Sequence, residues 1–328
     1  MPTVSIVVPT YQRRLSLERL LVALGEQTHP LADIEVLVVD DGSSDGTREW
    51  LAKVGAPYRL RPLTQSHAGP GAARNLGVAE AAGSLVVFFD DDVVPAPDAI
   101  SRHVLAHQAR PNTVVIGPML PPDGWPRPAW IRWEEARLLE QYRAMTAGEF
   151  QCTPRQLFTA NASIERRRFL EAGGFDPSYA RAEDVELGYR LRDLGSGFAF
   201  EPLARVVHYP ERTFASWQRT PYQYGRGDVA MERDKGHQAL GLAFYEFRTR
   251  HPLNRAFAKL FVGRSLPFAV VTALLRATIV AADGATLFPI ASRALSALFN
   301  LLYWQGVTDE FGGREQVWRS LAASVRAA

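Results

Sequence analysis

Cysteine is almost absent from this sequence of 328 residues, since Cys152 is the only one, and an intrachain disulfide is therefore excluded. A lone cysteine is typical of proteins from a reducing compartment, so we expect a cytoplasmic location. A strong charge of either sign is also missing. The formal net charge is only +2, which argues against a protein that wraps nucleic acid, and we expect no nucleic-acid partner.

Long hydrophobic runs are scarce as well. The two most apolar stretches, residues 265–275 and 294–304, stop short of the ~20 apolar residues that a membrane-spanning helix needs. Met1 and Pro2 lead almost directly into a β-branched run, with no basic segment and no cleavage site, so we expect no secretory signal. Internal repeats and low-complexity tracts are absent from the sequence too.

Short β-branched runs alternate with stretches of helical periodicity over the first two thirds of the chain. The predicted strands are residues 4–8, 34–39, 58–63, 85–89, 114–116, 158–164 and 198–208. This alternation predicts an α/β fold with a mostly parallel sheet flanked by helices. The last third is almost entirely helical in pattern. We therefore expect two domains, residues 1–212 and a helical extension over residues 213–328.

Acidic residues follow two of the predicted strands at the point where each strand ends. Asp40 and Asp41 follow one strand, and Asp90, Asp91 and Asp92 follow another. Because the carboxyl ends of parallel strands share the ligand-binding edge of an open α/β sheet, both clusters should project from that edge. A divalent cation with a bound nucleotide diphosphate would relieve the repulsion among three carboxylates. A solvated acidic turn is the alternative that these residues leave open.

Five segments of the chain resemble, in the same order, the motifs of the family 2 glycosyltransferases, which have the nucleotide-sugar-binding GT-A fold. They are VSIVVPTY (4–11), VVDDGSSDGT (38–47), GAARNLG (71–77), FFDDD (88–92), and GGFD (173–176) followed by EDVEL (183–187). Each motif is weak alone, whereas five in register over roughly residues 3–210 are a strong signal. The resemblance implies inverting transfer of a sugar from a nucleotide diphosphate, with UDP favoured, to a hydroxyl of a glycan or lipid-linked acceptor.

The resemblance also assigns a donor site to individual residues. The implied nucleotide-binding residues are Pro9, Thr10, Tyr11, Asp41, Arg74, Asp90 and Asp91. Asp41 would accept a hydrogen bond from the base imide, which suits uracil, whereas Arg74 alone could equally be a surface residue of its helix. Asp90 and Asp92 form the DxD pair, in which Asp92 is the main ligand of Mn²⁺ or Mg²⁺. His208 is a third metal ligand or an ordinary structural histidine.

The acceptor side rests on the same resemblance. Asp184 matches the general base, which takes the proton of the acceptor hydroxyl, and Glu183 supports or replaces it. The alternative is that both acids only favour a helix N-terminus electrostatically. Asn161 matches a position near the acceptor or donor sugar, with a turn residue as its alternative. Trp130 is a possible sugar platform, although core packing is the stronger interpretation for it.

Other readings stay open for the tail and for the activity. Residues 253–328 contain eight basic and four acidic residues, so this apolar segment fits either peripheral contact with the inner face of an anionic membrane or ordinary packing on a domain or dimer partner. Residues 222–227, rich in Gly, predict a turn that acts as a mobile loop at the active site. A retaining GT-A enzyme and a non-catalytic glycan-binding protein are the rival functions, and the oligomeric state is left open. A sugar nucleotidyltransferase or a dinucleotide oxidoreductase should carry a Gly-rich loop after the first strand, and Pro9-Thr10-Tyr11 stands there instead.

Overall fold

A computed structural model describes residues 3–179, 181–250 and 252–326, so Met1 and Pro2, at the start of the sequence, lie outside the described residues. The chain divides into two compact units. The first, here called the α/β unit, comprises Met1–Trp125 and Glu135–Glu211. The second, the helical unit, comprises Pro126–Glu134 and Arg212–Ala328. The helical unit thus takes up residues 126–134, which the sequence pattern placed with the first domain.

The α/β unit alternates strands and helices along the chain. The strands are β1 (Val4–Thr10), β2 (Ile34–Asp40), β3 (Arg59–Thr64), β4 (Leu85–Phe89), β5 (Val93–Pro95), β6 (Thr113–Ile116), β7 (Met119–Leu120), β8 (Asn161–Glu165), β9 (Gly197–Phe200) and β10 (Val206–His208). The helices are α1 (Arg14–Gly25), α2 (Thr47–Leu51), α3 (Pro70–Glu80), α4 (Ala99–Ala109), α5 (Ala129–Thr146), α6 (Arg166–Glu171) and α7 (Glu183–Asp193), with short 3₁₀ turns at Leu31–Asp33 and Pro154–Gln156. The first turns of α5 belong to the helical unit.

The main sheet has the strand order β3-β2-β1-β4-β8-β6-β9. Its pairs are parallel except for those of β8, which runs antiparallel to β4 and β6. The predicted mostly parallel sheet with flanking helices is therefore confirmed. The predicted strand over residues 198–208, with its interruption at Pro202, is two separate strands in the structure. The chain breaks around Pro202, which has no backbone N–H to donate, and β10 joins a separate sheet of order β5-β10-β7.

Side chains of the central strands alternate between two hydrophobic clusters, one on each face of the sheet. Val4, Ile6 and Val8 of β1 pack in one cluster, whereas Val7 packs in the other. This alternation follows from the two-residue period of a strand, and it explains why β4 is apolar without interruption and β1 and β2 are mostly apolar. Gly77 lets α3 lie close on this sheet, because a Cβ there would collide with the side chain of Val7.

The helical unit is built from six helices in the described part of the chain. They are α8 (Phe214–Lys235), α9 (Ala239–Thr249), α10 (Pro252–Phe261), α11 (Ser265–Gly284), α12 (Phe288–Glu310) and α13 (Arg314–Arg326). The predicted turn over residues 222–227 was wrong, since these residues lie inside α8. Gly225 and Gly306 sit where α8 and α12 cross, and a Cβ on either would strike a backbone carbonyl of the other helix. Close helix packing therefore explains the glycine of this segment.

α11 also differs from the prediction for the tail. The apolar run was expected to end near Leu275, but the helix continues to Gly284. By length and composition alone, α11 is long and apolar enough to cross a membrane, and it is the one helix among the described residues that meets this test. Only 17% of its apolar window is buried.

Candidate functional site

Three strands of the α/β unit deliver the candidate residues to one edge of the sheet. β1, β2 and β4 are neighbours, and they end at Thr10, Asp40 and Phe89. The ends are tied together. The backbone N–H of Asp41 donates to the Thr10 carbonyl oxygen at 2.9 Å, and the Thr10 hydroxyl donates to Asp91 Oδ2 at 2.8 Å. Thr10 and Asp91 are both buried, so their contact holds the two acid clusters in register.

Asp41 is buried, and both of its carboxylate oxygens are occupied. Gln65 Nε2 and the backbone N–H of Ala68 donate to Oδ1 at 2.7 and 2.8 Å. The backbone N–H of Gly69 donates to Oδ2 at 2.9 Å, and His67 Nδ1 lies 2.8 Å from the same oxygen. These donors come from the loop between β3 and α3, whose carboxyl-edge position brings it beside Asp41.

Two rings stand beside this carboxylate. Tyr11 and His67 stack with their centroids 4.2 Å apart and an angle of 25° between the rings. Both side chains are largely exposed, at 42% for Tyr11 as a residue and 59% for the His67 side chain. Gly42 makes this approach possible. It has a φ of +82°, which favours glycine, and a Cβ there would lie 3.1 Å from the His67 backbone nitrogen.

The aspartates after β4 hold an arginine between them. Arg13 Nη1 lies 2.7 Å from Asp92 Oδ2 and 3.2 Å from Asp91 Oδ1. Burial works against the charged form of Arg13, but the two carboxylates outweigh it and raise the pKa of the guanidinium. Burial also raises the pKa of Asp91 to about 7, although Arg13 opposes this rise. Burial alone would raise the pKa of Asp92 too, but nearby His208 and Arg13 outweigh it and hold that pKa below its usual value.

The structure brings His208 to Asp92, the two residues that the family resemblance pairs as metal ligands. His208 Nε2 lies 3.6 Å from Asp92 Oδ1, and this oxygen is buried without a hydrogen bond of ordinary geometry. No group of three or more His, Cys, Asp or Glu side chains holds a metal by itself within residues 3–179, 181–250 and 252–326. The residues present fit a hard cation that takes its remaining oxygen ligands from a bound phosphate, which is how Mg²⁺ is usually held at nucleotide sites.

Arg74 joins the aspartates to the predicted base. Its side chain is buried, and it lies 2.6 Å from Asp90 Oδ1 through Nη2 and 3.5 Å from Glu183 Oε1 through Nη1. The guanidinium also stacks over the ring of Phe175 at 5.7 Å. Burial opposes the charge of Arg74, but Asp90 and Glu183 together raise its pKa. The alternative of an ordinary surface arginine is therefore wrong.

Glu183 and Asp184 open α7. The residue before them, Ala182, has a φ of +62°, a conformation that costs about 1–3 kcal/mol and often occurs at functional sites. Asp184 Oδ1 accepts a hydrogen bond from the backbone N–H of Val185 at 2.8 Å. Burial and the neighbouring charge of Glu183 raise the pKa of Asp184 to about 7. Such a carboxyl group can give and take a proton near neutral pH. An acid that only stabilises the N-terminus of a helix does not need a raised pKa.

The two residues implied as sugar contacts, Asn161 and Trp130, have packing partners inside their own units. Asn161 is fully buried, its amide donates to the carbonyl oxygens of Pro118 and Ala204 at 3.1 and 2.8 Å, and its Oδ1 lies 3.0 Å from His103 Nε2. Its polar groups are thus used inside the fold, which corrects the prediction of a sugar contact. Trp130 belongs to the helical unit, where it stacks on Phe214 at 5.0 Å, as the packing interpretation expected.

Arg13, Gln65 and His67 are site residues that the sequence analysis missed. A usable signal existed for the last two, because the loop after β3 ends at the same sheet edge as the acid clusters. Arg13 offered no such signal, since basic residues before a helix are common and its acidic partners lie 78 and 79 positions away in the sequence.

A known protein family matches roughly the first half of the chain. Residues 5–167 match the family model described as "Glycosyl transferase family 2". The chain is 31% identical over 223 residues to validoxylamine A glucosyltransferase of Streptomyces hygroscopicus subsp. jinggangensis, and this alignment covers 59% of the chain. It spans 52% of that relative, so the chain covers about half the length of a curated relative that it matches.

Solved structures share the fold. A mannosyltransferase from Pyrobaculum calidifontis, PcManGT in complex with GDP-Man and Mn²⁺, matches with a TM-score of 0.59 and 22% identity over 93% of this chain and 87% of its own. S. aureus TarS 1–349 in complex with UDP-GlcNAc matches with a TM-score of 0.58 and 17% identity over 90% of this chain and 91% of its own. These likenesses show that the fold is GT-A.

Proposed function

The chain belongs to glycosyl transferase family 2, and we propose that it is an inverting, metal-assisted enzyme that transfers a sugar from a UDP-linked donor to a hydroxyl of a glycan or lipid-linked acceptor. The observation that carries this proposal is the Arg74 bridge, at 2.6 Å to Asp90 and 3.5 Å to Glu183. It sets the aspartates of the proposed donor site beside the carboxyl pair of the proposed acceptor site.

The nucleoside is assigned to the end of β1 and β2. Tyr11 offers an exposed ring on which a base can stack, and Asp41 offers a carboxylate that can accept from a base imide. Uracil has one such imide group, whereas cytosine and adenine have none, which supports UDP over donors with those two bases. Because the oxygens of Asp41 already accept three hydrogen bonds and have the His67 ring nitrogen 2.8 Å away, the exposed His67 must give up its place when a base binds.

The diphosphate is assigned to the end of β4. Asp92, Asp90 and His208 would hold Mn²⁺ or Mg²⁺ there, and the metal would supply charge neutralisation for the leaving diphosphate. Arg13 contacts the other carboxylate oxygen of Asp92, Oδ2, and would add a second positive charge beside that of the metal. Arg74 holds Asp90 in place through its buried guanidinium.

Acceptor activation is assigned to Asp184. Its carboxylate would take the proton of the acceptor hydroxyl as that oxygen attacks the anomeric carbon, and the sugar–phosphate bond breaks with inversion. A raised pKa makes the carboxylate a stronger base, provided that the pH lies above about 7. Glu183 is held by Arg74 and contributes through its charge, which keeps the pKa of Asp184 high.

The test is release of nucleotide from a panel of sugar nucleotides with Mn²⁺, Mg²⁺ or a chelator, using the full chain and its variants. Asp184→Asn should lose about 10²–10⁴-fold in rate while nucleotide binding persists. The matched control is Asp193→Asn, at the exposed end of the same helix, which should keep the rate. Asp92→Asn should lose the metal dependence.

Three outcomes would contradict the assignment. Release that survives Asp184→Asn but not Asp92→Asn would refute the base. A product that keeps the anomeric configuration of the donor would refute inversion in favour of a retaining enzyme. Absence of nucleotide binding by the wild-type chain would refute catalysis at this edge and favour a non-catalytic glycan-binding protein.

A further inference from the structure

α11 presents an apolar stripe to solvent along most of its length. Its exposed members, here called the α11 face, are Leu266, Val270, Ala273, Leu274, Ala277 and Val280. Their spacing of three and four residues places them on one side of a helix, over a length of about 21 Å. The large ones are well exposed, with Leu266 at 74%, Leu274 at 64%, Val280 at 58% and Val270 at 52%. Contiguous apolar surface of this kind marks an interaction site in soluble proteins.

The α11 face carries no charge, because both ionised side chains of the helix are engaged by the helical unit. Arg276 Nε donates to Gln218 Oε1 at 2.5 Å. Asp283 Oδ1 accepts from the backbone N–H of Ala129 at 3.0 Å and lies 3.1 Å from Arg132 Nη2. On the opposite side of α11, the side chains of Val271 and Ile279 are buried within the unit. The helix therefore lies along the surface of its unit with one face covered and one free.

The charged side chains nearest in sequence to the α11 face are mostly positive. Residues 252–293 contain five basic side chains and a single acid, Asp283, which is already paired. Lys259, Arg264 and Arg293 among them are exposed. This distribution disfavours a second copy of the chain as the occupant. A two-fold contact between two α11 faces would bring the basic flanks of both copies together, and like charges repel.

We propose that the α11 face docks on an anionic lipid surface, with the helix lying in the plane of the membrane. Its apolar stripe would enter the boundary between headgroups and acyl chains, and Lys259, Arg264 and Arg293 would meet the negative headgroups. The contacts of Arg276 with Gln218 and of Asp283 with Arg132 hold α11 against the rest of the helical unit. The helix would therefore lie on the bilayer and not cross it. This inference does not depend on the glycosyltransferase assignment.

The test is co-sedimentation of the full chain with vesicles of phosphatidylcholine alone and of phosphatidylcholine mixed with an equal amount of phosphatidylglycerol. The wild-type chain should bind the anionic vesicles and leave the uncharged ones. Leu274→Glu should weaken this binding about tenfold or more, since it removes a large apolar contact. The matched control is Leu105→Glu on α4, which is exposed to 54% outside this face and should bind as wild type.

A second variant tests the charges without touching the apolar stripe. Arg264→Gln combined with Arg293→Gln should weaken binding about 25-fold, because each cation near an anionic surface contributes about fivefold. Thermal unfolding of every variant checks that the helical unit still folds. Failure to bind the anionic vesicles, equal binding to both vesicles, or unchanged binding by Leu274→Glu would overturn the proposal. So would a lipid-free dimer that Leu274→Glu dissociates, because the α11 face would then be occupied by a second copy.

Discussion

Replacing His67 with alanine should tighten the binding of UDP. In the ligand-free chain, the His67 ring already makes the two contacts that a bound base is expected to make. It stacks on Tyr11 at 4.2 Å, and its Nδ1 lies 2.8 Å from Asp41 Oδ2. A carboxylate offers about four acceptor positions; three hydrogen-bond donors occupy those of Asp41, and the His67 nitrogen covers the remaining one. The His67 side chain is 59% exposed, so a base displaces it at low cost.

The size of this effect follows from the two contacts. A hydrogen bond to an exposed histidine contributes about 0.5–1 kcal/mol, and an exposed aromatic pair adds a similar amount. Their sum, about 1–2 kcal/mol, corresponds to about 5- to 30-fold in Kd. Titration calorimetry with UDP and Mn²⁺ would measure it. His67→Phe, which keeps the ring but loses the donor, should lie between the alanine variant and the wild type.

Ser66→Ala, in the same loop and exposed, is the control and should bind as the wild type does. Weaker binding by His67→Ala would refute the reasoning, since it would mean that the ring supports the base. An unchanged Kd would show that the base never meets His67. If neither the wild type nor any variant binds a nucleotide, the donor-site assignment itself fails, and this result differs from the other two.

Two further predictions concern the proposed base and the helical unit. Because the raised pKa of Asp184 keeps its proton bound below about pH 7, kcat/KM should fall about tenfold per pH unit below that value and level off above it; a profile without this acidic limb would contradict the assignment. Gly306→Ala should lower the free energy of unfolding by about 1–3 kcal/mol through collision with α8. Gly241→Ala on α9, where a Cβ meets nothing within 4 Å, should raise the free energy of unfolding by about 0.5–1 kcal/mol, and chemical denaturation compares the two. Equal effects of the two substitutions would refute close packing of α8 on α12.

Periodicity in the sequence was sufficient to predict the sheet. The continuous apolar run of β4 and the alternating runs and helices around it predicted a parallel core, because strands buried on both faces are mostly apolar. The same reasoning placed the acids of β2 and β4 at one edge, where the structure has them. It failed for residues 198–208 and 222–227. A proline or glycine signals a local break, but its effect depends on what packs against it.

The candidate site was predictable only in part, because its residues contact one another across long sequence separations. The motifs identified Asp41, Arg74 and Asp184. They did not reveal that His67 covers Tyr11 or that Arg13 lies between Asp91 and Asp92. Asn161 shows the opposite failure. The pattern marked it as a sugar contact, but the carbonyl oxygens that use its amide come from two other segments of the fold.

The sequence by itself determined the fold class, the position of the acids at the carboxyl ends of two strands and the family resemblance, since each depends on local pattern and spacing. Only the tertiary structure decided which side chains meet. It set Arg74 between Asp90 and Glu183, raised the pKa of Asp184 through burial and a neighbouring charge, and turned both charges of α11 toward the helical unit. Burial and distance are properties of the packed chain. They decide which charged side chains are paired and which can exchange a proton, and they decide which apolar side chains stay exposed.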